Sequence, residues 1–418
     1  MDFIKRHMII IVSITTFSLI SLLLSQVYTA KDDITFRFID HYGDRSSLDN
    51  ITIQGELKDG YHSTHFAISK NEVSSYTEIF DYSIFETQPR RYMPGLYIPL
   101  ELDGIEYEFR ISNSGFIGTF DISYDKVSFS SIQRMGYTSL NTTTPGSTST
   151  NHLEYGLTST GENIYFMVPN TSDFKGKNSI YELALVETEN IPRTQLPESR
   201  KVTTYSFEQN TNPDLPKLSV LGLESVNDNL VVVMQEGDKL LIKGVSTSGE
   251  ELGTAYVEQF FSEDRESENH YPSYKAYENE EDDIITLNFD SNLGDTNHTI
   301  ASFSLSNGVE VVDVVRTDFL NEKFDSFHSV EKMIYKNNKL YVARTVREAG
   351  DENYSPPEVT QPIYFYIYVF EDSELLYKGE LVTDNNDDLI QIDTLTNYAH
   401  GISYSFRDYR NFMNISFD

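Results

Sequence analysis

The sequence predicts an all-β fold, and three observations carry that prediction. Tyrosine and phenylalanine, both strand-favouring, number 28 and 26. From Ile34 onward, short runs of Val, Ile, Leu, Tyr and Phe alternate with polar residues and are broken by Gly, Asn and Asp, as strands and turns require. No stretch after Ile34 keeps an amphipathic helical period for three turns. Residues 34–39 are a typical short run and residues 363–370 a longer one. Hydrophobic residues at 39% and aromatic residues at 13% supply a core, which separates this acidic chain from acidic disordered ones.

One module recurs along the body: a strand, a polar turn, then a second strand. Measured at the first residue of the second strand, its copies fall at Ile164, Leu230, Ile284, Leu340 and Ile402, with separations of 66, 54, 56 and 62. Earlier turns before Ile51 and Ile105 extend the series, while a strand pair at residues 117–127 falls out of phase. Periods of this size, all strand, match a β-propeller blade of four antiparallel strands. Seven copies over 385 residues give 55 per blade, so a propeller of about seven blades is expected. The last copy ends short at residues 413–417, and the N-terminal run 34–39 would supply its missing strand and close the ring. Two packed β-sandwiches remain the alternative. Residues 141–151, rich in Thr and Ser, read as a connector. Residues 347–362 read as a protruding loop.

Ahead of the body, Lys5 and Arg6 precede 17 residues, 8–24, whose only polar members are Ser and Thr. That is the lower edge of a membrane span and longer than a signal-peptide core. Extension through Val27 and Tyr28 puts an aromatic ring at interface depth. The expected organisation is therefore 1–30, a cytoplasmic stub with a transmembrane or signal-anchor segment, and 31–418, an extracytoplasmic body. Cleavage after Ala30 would give a secreted form, although Tyr28 stands where a small residue is preferred. The only membrane crossing expected is residues 8–24. In overall pattern the whole chain resembles the exported β-propeller-like proteins of unknown function found in low-GC Gram-positive bacteria, which implies location and fold but no activity.

Charge and composition exclude several chemistries. Asp and Glu total 65 against 32 Lys and Arg, a formal charge of -33 that repels nucleic acid and opposes docking of the body on anionic lipid. The charge serves solubility, or attraction of cations and basic polymers. Without cysteine there is no disulfide, thiolate metal site or cysteine nucleophile. Without tryptophan there is no WD repeat, no tryptophan-docked quinoprotein pattern and no Asp-box. No G-x-S-x-G elbow, P-loop or dinucleotide fingerprint occurs.

The remaining patterns are weak. Ser123-x-x-Lys126 and Ser329-x-x-Lys332 have a serine–lysine spacing that needs a helix start, yet both lie in strand-like sequence. His62 and His65 point to opposite faces of a strand, against a shared metal. The oxygen-rich turns at residues 384–388 and 290–295 lack the Gly and Glu of a calcium loop, with Leu389 and Leu395 in those places of the first. Residues 262–283 carry Glu263, Asp264, Glu266, Glu268, Glu278, Glu280, Glu281, Asp282 and Asp283 around Tyr271, Tyr274 and Tyr277. This segment reads as a solvated loop with tyrosines packed on the body, or as a contact for a basic protein surface. Sequons begin at Asn50, Asn141, Asn170, Asn297, Asn353 and Asn414, and the bacterial character of the N-terminus speaks against their glycosylation. No residue is assigned as catalytic, cofactor-binding or metal-binding, and no cofactor is specified. The expected function is a membrane-anchored binding, sensing or interaction module; the alternative is an envelope carbohydrate-active hydrolase using paired carboxylates at a central channel.

Overall fold

The structure, a computed structural model, describes residues 15–22, 36–58, 62–70, 72–79, 98–102, 105–113, 119–126, 132–139, 141–142, 155–161, 163–183, 199–261, 274–290, 298–319, 327–347, 363–383 and 411–418. They fold as six antiparallel sheets taken up in chain order. After β1 (Phe36–Gly43) come β2 (Ile53–Lys58), β3 (His62–Ile68) and β4 (Val73–Ile79), the body of the first sheet. The second holds β5 (Ile98–Leu102), β6 (Ile105–Asn113), β7 (Thr119–Lys126) and β8 (Ile132–Ser139). In the third, β9 (Asn141–Thr142) joins β10 (Leu157–Thr160), β11 (Asn163–Phe166), β12 (Gly176–Leu183) and β13 (Arg200–Ser206) by pairing with β12. The fourth is β14 (Leu218–Val226), β15 (Asn229–Glu236), β16 (Lys239–Ser246) and β17 (Glu251–Val257). The fifth is β18 (Tyr274–Asn279), β19 (Ile284–Asp290), β20 (His298–Ser304) and β21 (Glu310–Thr317). The sixth is β22 (Phe327–Lys336), β23 (Lys339–Arg347), β24 (Ile363–Glu371) and β25 (Glu374–Thr383). The C-terminal β26 (Asn411–Phe417) returns to the free side of β2.

Turn chemistry explains the hairpins. Asn337 and Asn338 between β22 and β23, and Asp372 and Ser373 between β24 and β25, all hold positive φ, the signature of two-residue turns whose twist matches that of the strands. The sheets also share an irregularity. The pairing of third with fourth strand slips at Ile122/Ser123, Ile180/Tyr181, Gly244/Val245, Ser302/Phe303 and Val369/Phe370 in sheets two to six. A bulge at the same place in each of these five sheets bends them alike. In the first sheet β3 and β4 pair without a shift.

Apolar cores fill the seams between consecutive sheets. One joins the third to the fourth around Phe166, Val220 and Val232. Another joins fourth to fifth around Leu221, Ile242 and Leu287. A third joins fifth to sixth around Ile300, Met333 and Tyr368. The last joins sixth to first around Phe66, Phe365 and Phe412. Burial on both faces is why β15 reads Leu230-Val-Val-Val-Met234 without alternation. The inner strands β10, β14, β18, β22 and β26 contact one another in that order.

Six sheets stand among the described residues, where about seven blades were expected. The marks at 51, 105, 164, 230, 284 and 340 fall at or within two residues of the starts of β2, β6, β11, β15, β19 and β23, the second strands of their sheets. The seventh mark, 402, lies outside the described residues. The C-terminal strand is no seventh copy, because β26 completes the first sheet through β2. The N-terminal strand does reach a late sheet, but it lies beside β25, with Phe36 opposite Thr383. The out-of-phase run at 117–127 is β7, an ordinary third strand. The expected connector begins with β9, paired to β12 at Gly176 and Lys177; residues 143–151 lie outside the described residues, as do 348–362 of the expected protruding loop.

Candidate functional site at the inner strands

The inner strands carry polar residues where the sheets converge. Ser225 on β14 exchanges a hydroxyl hydrogen bond of 2.8 Å with Thr158 on β10 and donates to the Ser159 carbonyl at 2.7 Å. Asn227, beside the end of β14, donates to the Glu280 carbonyl at 2.9 Å. Tyr277 and Asn279 on β18 donate to the carbonyls of Val330 and Tyr335 on β22, at 3.1 and 2.9 Å. These three seams are thus stitched at their inner edges by side chains that satisfy backbone groups of a neighbouring sheet.

Two carboxylates occupy the seam between the fourth and fifth sheets. Glu224 and Glu278 each lie six residues before the start marks 230 and 284, so they hold equivalent positions on β14 and β18. Tyr274 donates to Glu224 Oε1 at 2.6 Å. Gly222, at a register shift in β14, makes room for that hydroxyl: a Cβ there would collide with it and stand 2.7 Å from the Tyr155 carbonyl oxygen. Tyr155 and Phe289 flank the Tyr274 ring, each 5.1 Å away between centroids.

The electrostatics follow from this crowding. Burial lifts the Glu224 carboxyl from 4.5 to about 8; the Tyr274 hydrogen bond opposes the rise and the charge of Glu278 adds to it. Glu278 rises to about 7, again chiefly by burial and then by Glu280, while Lys332 pulls it down. Glu278 keeps solvent access, whereas Glu224 is half-buried. Near neutral pH the seam therefore holds a neutral Glu224 acid beside the more exposed Glu278 carboxyl, with Lys332 across the next seam. Such a set can donate and accept protons, or hold a polar ligand.

Three of these residues were visible in the sequence in other guises. Tyr274 and Glu278 belonged to the expected acidic loop; both lie in β18, which corrects the loop reading at those positions, while Tyr274 and Tyr277 are packed on the body as expected. Residues 262–273 of that segment, with Glu263, Asp264, Glu266, Glu268 and Tyr271, lie outside the described residues. Lys332 comes from the serine–lysine pattern, but β22 is a strand, as β7 is at Ser123 and Lys126. Glu224 was missed, although it is the one charge in Leu218–Val226. His62 and His65 both fall in β3, three positions apart. Among the described residues no group of three or more His, Asp or Glu is placed to hold a metal. Of the two oxygen-rich turns, residues 384–388 and 291–295 lie outside the described residues.

No family model and no curated protein matches this chain. Among solved structures, a prolyl endopeptidase aligns over 80% of this chain and 42% of its own at 11% identity, with a TM-score of 0.34. TolB from Acinetobacter baumannii aligns over 79% of this chain and 63% of its own at 9% identity and a TM-score of 0.31. A levansucrase from B. megaterium aligns over 69% and 82% at 10% identity and 0.29. The chain thus spans under two thirds of the first two. Likenesses this distant assign it no activity or partner.

Proposed function

We propose that this chain is an anchored extracytoplasmic binding module, a six-bladed propeller that receives a ligand at the inner rim around Glu224, Glu278 and Lys332. The observation that carries the reading is the carboxyl pair on neighbouring inner strands. A neutral Glu224 donates a hydrogen bond to a ligand, while Glu278 and Lys332 offer it opposite charges. Seam cores in the order third, fourth, fifth, sixth, first support the propeller. The anchor is supported by Lys5 and Arg6 ahead of residues 8–24, of which 15–22 are helical with Phe17, Leu19, Ile20 and Leu22 exposed. Among the described residues no helix is long and apolar enough to cross a membrane. The resemblance to exported propeller-like proteins supports an extracytoplasmic body, and protease added to protoplasts should digest the body and leave a short membrane stub.

The second reading, a carbohydrate-active hydrolase, draws on the same pair, since acid and base roles need carboxyls with separated pKa values near the working pH. The full chain in detergent separates the readings when incubated with glycoside, ester and peptide substrates. Binding predicts no turnover. Turnover that Glu224→Gln abolishes, in a protein that still melts cooperatively, establishes the hydrolase.

A further inference from the structure

The first sheet has two unlike faces. Ile53, Leu57, Phe66, Ile68, Phe412 and Phe417 pack on the sixth sheet. The opposite face is polar: Gln54 and Glu56 on β2, Ser63 and His65 on β3, Ser74 and Tyr76 on β4. It holds a depression of about 270 Å³ to which β26 adds Asn414 and Ser416.

This depression is built. Glu56 is only 8% exposed, yet it accepts hydrogen bonds on both oxygens, from Ser63 Oγ and from Asn414 Nδ2. Those bonds, with Lys58 and His65 nearby, outweigh the cost of burial and keep the carboxyl below its usual range, so it is an anion at neutral pH. Asn414 reaches it through a positive φ of 52°, inside the register shift between β2 and β26. Beside it the Tyr76 ring stacks on His65, with centroids 4.7 Å apart and planes 18° from parallel. His65 is steadied by Glu78 at 3.8 Å. Tyr76 stays 60% exposed, so its outer ring face is open to solvent.

We infer that this depression is a saccharide-binding site. A flat, open aromatic face takes the apolar C–H face of a sugar ring. A fixed carboxylate and the carboxamides of Gln54 and Asn414 then accept from and donate to ring hydroxyls, which planar groups match in pairs. The volume lies just under the roughly 300–1,000 Å³ of drug-sized pockets, which suits one ring with its neighbours in solvent. The site is separate from Glu224 and Glu278 and does not depend on a ligand there.

The test titrates the full chain in detergent with maltotriose, cellotriose and chitotriose, read by saturation-transfer NMR. At least one trisaccharide should show transfer concentrated on its ring C–H protons. Tyr76→Ala and Glu56→Gln should each weaken that binding tenfold or more, and Lys239→Ala, on the fourth sheet, should not. Because Tyr76 is exposed, Tyr76→Ala should leave Tm within a degree or two. Absence of transfer from all three sugars at millimolar concentration overturns the inference. So does binding indifferent to both substitutions, or a Tm drop of many degrees in Tyr76→Ala, which a ring packed beneath other protein would give.

Discussion

The first and fourth sheets share strand order but differ in how they are covered. In the fourth, residues from Leu230 through Met234 are all fully buried, because third and fifth sheets press on either face. In the first, β3 alternates buried Phe66 and Ile68 with the more open His65 and Ala67: among the described residues an apolar core packs on the face of Phe66 and Ile68, while the other face is polar. The fourth also carries the shared bulge between third and fourth strands and the first does not. A sheet apolar on both faces is scaffold; a sheet with a polar face that leaves Tyr76 open to solvent can meet a ligand.

The largest expected effect breaks or confirms that contrast. Val232→Asp puts a lone charge between two sheets and should cost more than about 4 kcal/mol, enough to prevent folding. Ser74→Asp, on the exposed face of β4, should change stability by no more than about 0.5 kcal/mol. Urea denaturation of both variants reads the difference, and equal effects would erase the distinction between the sheets.

Next in size is a comparison within one strand. Phe66 meets Phe36, Phe365 and Phe412 at 5.3, 5.7 and 5.9 Å between ring centroids. Its replacement by Ala should cost about 3–5 kcal/mol. His65→Ala, one residue away on the polar face, should cost less than about 1 kcal/mol, since its polar contacts are long and half-exposed.

A smaller effect depends on pH. Glu224 titrates in the folded chain at about 8 instead of 4.5, so the folded form holds an extra proton between those values. Its contribution to stability is therefore lost as pH rises through that window. Glu224→Gln should flatten this fall, leaving the variant more stable than the parent at pH 9, by on the order of 1–3 kcal/mol, and close to it at pH 5. Denaturation at pH 5, 7 and 9 checks the sign. Smallest of all, Lys239→Ala removes an exposed ion pair to Glu258 at 2.8 Å and should leave the urea midpoint unchanged.

Much of the fold was legible because turns announce themselves. Asn337-Asn338 and the polar turn at Asn227 mark hairpins whatever packs around them, so six start marks landed on second strands. The place of the C-terminal strand was not legible, because nothing local in residues 411–417 says that their partner is β2, more than 350 positions away. The rim acids were half legible. Glu278 stood in a charged run that resembled a loop, whereas Glu224 was one acid inside an apolar strand, a local conflict that often marks function. The polar depression escaped notice because Glu56, Tyr76 and Asn414 come together only after β26 returns.

The rim reading turns on whether Glu224 holds its proton near neutrality, and side-chain carboxyl NMR measures this directly. With the glutamate δ-carbons labelled in the full chain, the resonance missing from Glu224→Gln identifies the residue. It should titrate with a midpoint near 8. A midpoint near the ordinary 4.5 would mean that Glu224 is an ordinary solvated carboxylate and that the inner rim is not the site proposed.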